Sequence, residues 1–254
     1  MKLFKRFWMV FFPLTIIIIF ALIIFEIDPR HALEKSKNLK NTEATSQPVA
    51  MVHSVQSNLG QRKYILNAPL IHQQPQLDRG CEVTSLAMML NYAGVKVNKM
   101  TLANNIDKVP FMKDGYRGNP HDGFVGNIKT FSKSGLGVYH EPLARLAETY
   151  MPNRIIDLSG ESFDKVLDQI IKGHPVVAIT NYTFKKLPDG QFRTWDTVDG
   201  KVKVTYYQHA VLITGFDDQY IYFNNPLGKK NEKADRDDFI AAWKQMGSQA
   251  ISYN

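Results

Sequence analysis

The sequence predicts an α+β domain held behind a single membrane anchor. Three observations predict it. A helical apolar repeat opens the folded part at Cys81, strand-like apolar runs follow from Pro175 onward, and an uncharged stretch of 19 residues, Phe7 to Phe25, stands before both. Helices that come early and strands that come late describe segregated α and β layers rather than alternating βαβ units.

The uncharged stretch sets the compartment. As a helix it spans roughly 28 Å at about 1.5 Å per residue, close to the hydrocarbon thickness of a bilayer. Pro13 lies inside it. Lys2, Lys5 and Arg6 precede it, while Glu26 and Asp28 follow. The positive-inside rule then places residues 1–25 as a cytoplasmic tip and transmembrane signal anchor, with the rest outside. A cleaved signal peptide is the rival reading, but it needs a shorter apolar core and small residues at a cleavage site. Ile23-Ile24-Phe25-Glu26 offers none. Residues 26–62 are polar and without sustained periodicity, which reads as a flexible extracellular stalk. Residues 63–254 have the composition of one packed domain.

Within that domain, Lys63–Ile71 reads as a short strand and a proline-bearing loop. From Cys81 to Tyr92, Val83, Leu86, Ala87 and Leu90 repeat at helical spacing, and Gly94 ends the run. A second helix begins near Met100–Ile106. Residues 107–127 form a glycine-rich loop. Ser162 is placed to cap a helix over Phe163–Lys172, with Phe163, Val166, Leu167, Ile170 and Ile171 on its apolar face. Pro175–Ile179, Lys201–Thr214 and Tyr220–Asn224 read as strands, with a polar insertion carrying Trp195 from Tyr182 to Lys203. Asp237–Gln245 is a late helix and Ala250–Tyr253 a closing strand.

Charge and cysteine count exclude several classes. Of the formal net charge of +7, the first 25 residues hold three, and no basic block with interleaved aromatics occurs. Nucleic acid is therefore not an expected partner. One cysteine allows no intramolecular disulfide and no multi-cysteine zinc site. His72, His121, His140 and His174 lack metal-ligand spacing, and no phosphate loop or dinucleotide fingerprint is present. Neither a metal nor a cofactor is expected.

Three residues carry the chemistry. Cys81 follows Gly80 and opens a helix, where free N–H groups and the helix dipole favour a thiolate. A lone cysteine as a small buried hydrophobe is the bland alternative. His209 starts the run Ala210-Val211-Leu212-Ile213-Thr214-Gly215, and Tyr220–Phe223 ends in Asn224-Asn225-Pro226. A three-residue loop, Phe216-Asp217-Asp218, sets Ile213 opposite Ile221, Val211 opposite Phe223 and His209 opposite Asn225. A two-residue loop shifts this register and spoils the pairing. Nucleophile, base and orienter then occur in the order Cys, His, Asn, as in papain-type enzymes.

The local sequence narrows this. Gln73 to Gly94, containing Gly80-Cys81-Glu82-Val83-Thr84-Ser85-Leu86-Ala87-Met88-Met89-Leu90, resembles the signature of the C39-like cysteine peptidases, relatives of the bacteriocin double-glycine leader peptidases. His209 to Asp217, followed by Tyr222-Phe223-Asn224-Asn225-Pro226, resembles their histidine block. The resemblance spans roughly 63–254 and is weak across 107–160. It implies a papain-like fold, an N-terminal helical part packed on an antiparallel sheet. It also implies Cys81 as nucleophile, His209 as general base and acid, and Gln73 as an oxyanion-hole amide, with Gln74 its neighbour left open. Asn225 stands where the family usually has Asp. The expected function is a membrane-anchored extracellular thiol hydrolase cutting a peptide or isopeptide bond, with peptide, protein or peptidoglycan as substrate and the cytoplasmic membrane as partner through residues 7–25. A peptidoglycan amidase or endopeptidase, a processing protease for secreted proteins, and a catalytically idle binding module remain open beside it. Leader cleavage itself is disfavoured, because it proceeds on the cytoplasmic side.

Overall fold

The structure, a computed structural model, describes residues 63–254. The expected anchor and stalk lie outside the described residues. Among the described residues no helix is long and apolar enough to cross a membrane.

Strand β1 (Tyr64–Ile65) precedes helices α1 (Cys81–Tyr92) and α2 (Lys99–Asn105). The glycine-rich segment holds four two-residue strands, β2 (Lys108–Val109), β3 (Met112–Lys113), β4 (Tyr116–Arg117) and β5 (Phe124–Val125). Then come α3 (His140–Glu148), β6 (Ile155–Asp157), α4 (Phe163–Ile171) and β7 (Val176–Asn181). The remainder is β8 (Arg193–Thr197), β9 (Gly200–Val204), β10 (Gln208–Phe216), β11 (Tyr220–Asn224), β12 (Glu232–Asp235), α5 (Arg236–Gln245) and β13 (Ala250–Tyr253).

The main sheet runs β12-β11-β10-β7-β13-β6, every pair antiparallel, with β1 also on β10. Both faces are covered. Leu212, Val177 and Ile251 pack with residues of α1, α2 and α3. Val211, Ile213 and Ala178 point the other way, onto Phe163 and Val166 of α4 and Phe239 and Trp243 of α5. This is the period-2 alternation of a strand buried on both sides. The early helices do pack on an antiparallel sheet, as expected, and α4 with α5 adds a third layer behind it.

Three local expectations change. The run Lys201–Thr214 is not one strand. It breaks at Thr205–Tyr207, so β8 and β9 form a separate hairpin. Trp195 in that hairpin is buried, with its ring edge-on to Phe111 at 5.5 Å, and caps a small apolar cluster. Ser162 occupies the N-cap of α4 without making a side-chain cap bond, whereas Asp235 caps α5 through the N–H groups of Asp237 and Asp238. Helix α3 had no counterpart in the sequence reading, although Leu143, Leu146 and Ala147 are buried along it at helical spacing.

The β10–β11 register also differs. Asp217 Oδ1 accepts the N–H groups of Gln219 and Tyr220, and its other oxygen accepts the Tyr222 hydroxyl. That side-chain turn tightens the hairpin beyond the three-residue loop expected. Phe216 pairs with Ile221, and a bulge between Ile213 and Gly215 then resets the pairing so that Ile213 faces Phe223. The expected Ile213–Ile221 pairing is out by two residues, an even shift that leaves each side chain on its expected face.

At the bulge, β1 pairs closely with β10. A Cβ on Gly215 would sit 2.2 Å from the Tyr64 carbonyl oxygen. Gly215→Ala is therefore expected to cost roughly 1–3 kcal/mol, the usual penalty of overpacking. Urea unfolding of the full chain measures it; an unchanged midpoint would mean that β1 is free to retreat.

Candidate active site

Cys81 is the first residue of α1, behind Gly80. Gly80 is required by packing, because a Cβ there would lie 2.5 Å from Leu77 Cβ. Cys81 is buried, at 7% exposure, in an apolar cluster with Tyr139, Ile179, Ala210 and Met246. Its S–H donates to Glu82 Oε2 at 3.3 Å. Glu82 is itself buried and accepts from Gln208 Nε2 at 2.8 Å and the Val138 N–H at 3.3 Å. Gly137 leaves room for this knot, since a Cβ there would come within 2.5 Å of both Glu82 Oε1 and Gln208 Nε2.

These neighbours reverse the electrostatics expected of a helix start. Burial pushes the Cys81 thiol well above its ordinary value, and the Glu82 charge adds to that. The Ala210 backbone N–H acts the other way and is outweighed. Desolvation favours the neutral form of a buried acid, and it dominates here over the helix dipole. Burial also raises Glu82, against the hydrogen bonds that its carboxylate accepts.

His209 and Asn225 are in contact. His209 Nε2 lies 2.9 Å from Asn225 Oδ1, and both residues are buried. Directly opposed strand positions do not produce this, because β11 ends at Asn224. The chain instead turns back at Asn225-Pro226, with Gly228 N–H on the Asn225 carbonyl and Leu227 N–H on Asn225 Oδ1. Asn225 Nδ2 donates to Glu232 Oε2 at 3.0 Å, and the Lys229 N–H reaches the same oxygen. Gly228 permits this clasp, since a Cβ there would lie 2.3 Å from Glu232 Oε2 and 2.8 Å from Asn225 Nδ2. Burial lowers the His209 pKa, while Asn225 and the Glu232 charge support its protonated form. Asn224 turns away and braces the chain through the Ala68 and Pro69 carbonyls.

Among the described residues no hydrogen bond joins Cys81 to His209. The link between them is Ala210, which follows His209 in the chain and packs with Cys81. The two side chains are thus brought to one end of β10, each with its own hydrogen-bonded partner. Gln73 is buried and gives both amide hydrogens to the Leu77 and Asp78 carbonyls, at 3.1 and 3.0 Å. It braces the turn before Cys81, and neither hydrogen is left to meet an oxyanion in this state. Gln74 is exposed and bonds Asp78 Oδ1.

A cavity of about 310 Å³ lies alongside, lined in part by His121, Tyr139, Phe192, Val202, Lys203 and Met246. Tyr139 and Met246 also belong to the cluster around Cys81. Glu82, Gln208 and Glu232 escaped the sequence reading. An acid in the first turn of a helix ordinarily serves the dipole from the surface, so only its burial reveals Glu82 as a partner of the thiol.

Comparison with known proteins places the chain in a family. The model of the Peptidase C39-like family matches residues 65–251. Uncharacterized protein YvpB of Bacillus subtilis (strain 168) is 50% identical over 178 residues, 70% of this chain and 70% of that protein. The crystal structure of a protein designated a C39-like peptidase, from Bacillus anthracis, aligns with a TM-score of 0.75 at 55% identity, covering 76% of this chain and 98% of that one.

Proposed function

Because the chain belongs to the Peptidase C39-like family, we propose that it is a membrane-anchored thiol hydrolase acting outside the cell on a peptide or isopeptide bond. The observation that carries this reading is the 2.9 Å contact of His209 Nε2 with Asn225 Oδ1. The Nε2–H donates to that oxygen, which leaves Nδ1 as the basic nitrogen. In the proposed reaction the Cys81 sulfur turns from Glu82, gives its proton to His209 Nδ1 and attacks the scissile carbonyl carbon. The tetrahedral intermediate collapses as His209 returns the proton to the leaving amine. Water, deprotonated by His209, then releases the acid from the thioester and restores the thiol. The Cys81 backbone N–H, at the open start of α1, is one oxyanion donor. Gln73 is the proposed second, on releasing one of its two carbonyls. The anchor rests on Phe7–Phe25 and the preceding Lys2, Lys5 and Arg6.

Full-length chain in detergent, incubated with an unfolded protein and separately with purified peptidoglycan, tests the proposal by mass spectrometry. New protein N-termini that vanish in Cys81→Ala are the expected result. Release of wall stem peptides alone would assign the same chemistry to a peptidoglycan amidase or endopeptidase. A second reading, a catalytically idle peptide-binding module, is favoured by the buried thiol committed to Glu82. It predicts no product from either material.

A further inference from the structure

His121 and His140 lie far apart in sequence, yet their rings meet at the wall of the 310 Å³ cavity, with centroids 6.5 Å apart. We propose that His121, His140 and Glu141 bind one zinc ion, with Asp157 holding His140 from behind. One ligand atom from each of the three lies within 4.8 Å of the others. In a tetrahedral zinc site such atoms stand about 3.3 Å apart, so a small closing movement completes the set. His140 Nδ1 lies 2.7 Å from Asp157 Oδ2 and donates to it, which turns Nε2 toward Glu141 Oε1 at 3.2 Å. Without a metal ion a proton on Nε2 bridges that pair, since both carboxylates favour the charged ring, and a bound cation takes the proton's place. His121 Nδ1 reaches the same oxygen at 2.7 Å. Glu141 Oε2 is shielded from solvent without any hydrogen-bond partner.

A carboxylate behind a ligating histidine is the usual outer shell of a metal site, because it fixes the tautomer and raises the ligand's basicity. Once the ion displaces that proton both imidazoles are neutral, and Glu141 and Asp157 leave two negative charges, which one divalent cation balances. Two imidazoles and a carboxylate suit zinc better than magnesium or calcium. His121 and Glu141 are 41% and 37% exposed at their side chains, so the fourth position opens to the cavity and takes water or a substrate group. The ion ties the loop at His121 to the start of α3 and stiffens the wall around Tyr139, beside Cys81.

The test uses full-length chain without a histidine tag, stripped by a chelator and titrated with Zn²⁺ against a chromophoric competitor. One equivalent should bind. His121→Ala and His140→Ala should each weaken binding roughly tenfold or more, and Asp157→Asn about tenfold through the outer shell. Cys81→Ala should bind as wild type does. Circular dichroism checks each variant, and the exposed His121→Ala keeps the test sound should His140→Ala unfold. Equal binding by wild type and the histidine variants would overturn the proposal. So would loss of binding in Cys81→Ala, which assigns the metal to the thiol, or no saturable binding at all.

Discussion

Cys81→Ala and His209→Ala are each expected to lower peptide turnover on the order of 10⁴-fold or more, since nucleophile and base act as a unit. Asn225→Ala should lose less, on the order of 100-fold, because it frees the His209 ring without removing it. Glu232→Gln should lose less again. It reaches His209 only indirectly, through Asn225 Nδ2 and through its charge. That charge gives the variant a distinct signature. Without it the His209 pKa falls further, so the acid limb of the pH–rate profile should move to lower pH, which a merely structural change would not cause. Asn224→Ala should reduce stability, not turnover, because its side chain braces Ala68 and Pro69. A profile for the five variants on one cleaved peptide separates these roles. Equal damage from Asn224→Ala and Asn225→Ala would reject the proposed orienter.

Glu82→Gln is expected to activate the resting thiol. Burial and then the Glu82 charge hold Cys81 protonated in wild type. Alkylation by iodoacetamide should accordingly titrate above the ordinary thiol value of about 8.5. Removing one adjacent like charge should raise the neutral-pH rate roughly tenfold or more and shift the titration downward. His209→Ala should leave the resting titration where it is, because no hydrogen bond joins the two groups. An upward shift in that variant would instead reveal a thiolate–imidazolium pair. The linkage has a definite sign. The Cys81 pKa is raised by folding, so its contribution to stability is complete below the unfolded thiol value and is lost as pH rises through the folded one. Alkaline unfolding should therefore be milder in Cys81→Ala. His209 is lowered by folding. Its contribution is present above the ordinary histidine value of about 6.5 and is lost as pH falls through the folded value.

Local pattern alone located most of the scaffold. The helical repeat of Val83, Leu86, Ala87 and Leu90 marks α1 to the residue, and Ala250–Tyr253 coincides with β13. In these segments periodicity and breakers agree, so neighbours in sequence carry the whole signal. The same reading brought His209 and Asn225 together, although by a register that the structure does not use. What tertiary structure alone decided is of another kind. The bulge before Gly215 falls where β1, from the far end of the chain segment, pairs with β10. The thiol's pKa depends on how deeply Cys81 and Glu82 are buried, and burial is a property of the packed whole. His121 and His140 become neighbours only when the glycine-rich loop folds against α3, so no spacing rule could have paired them. Periodicity is a one-dimensional property that a sequence displays directly. Desolvation and the convergence of distant side chains exist only after the chain has closed on itself.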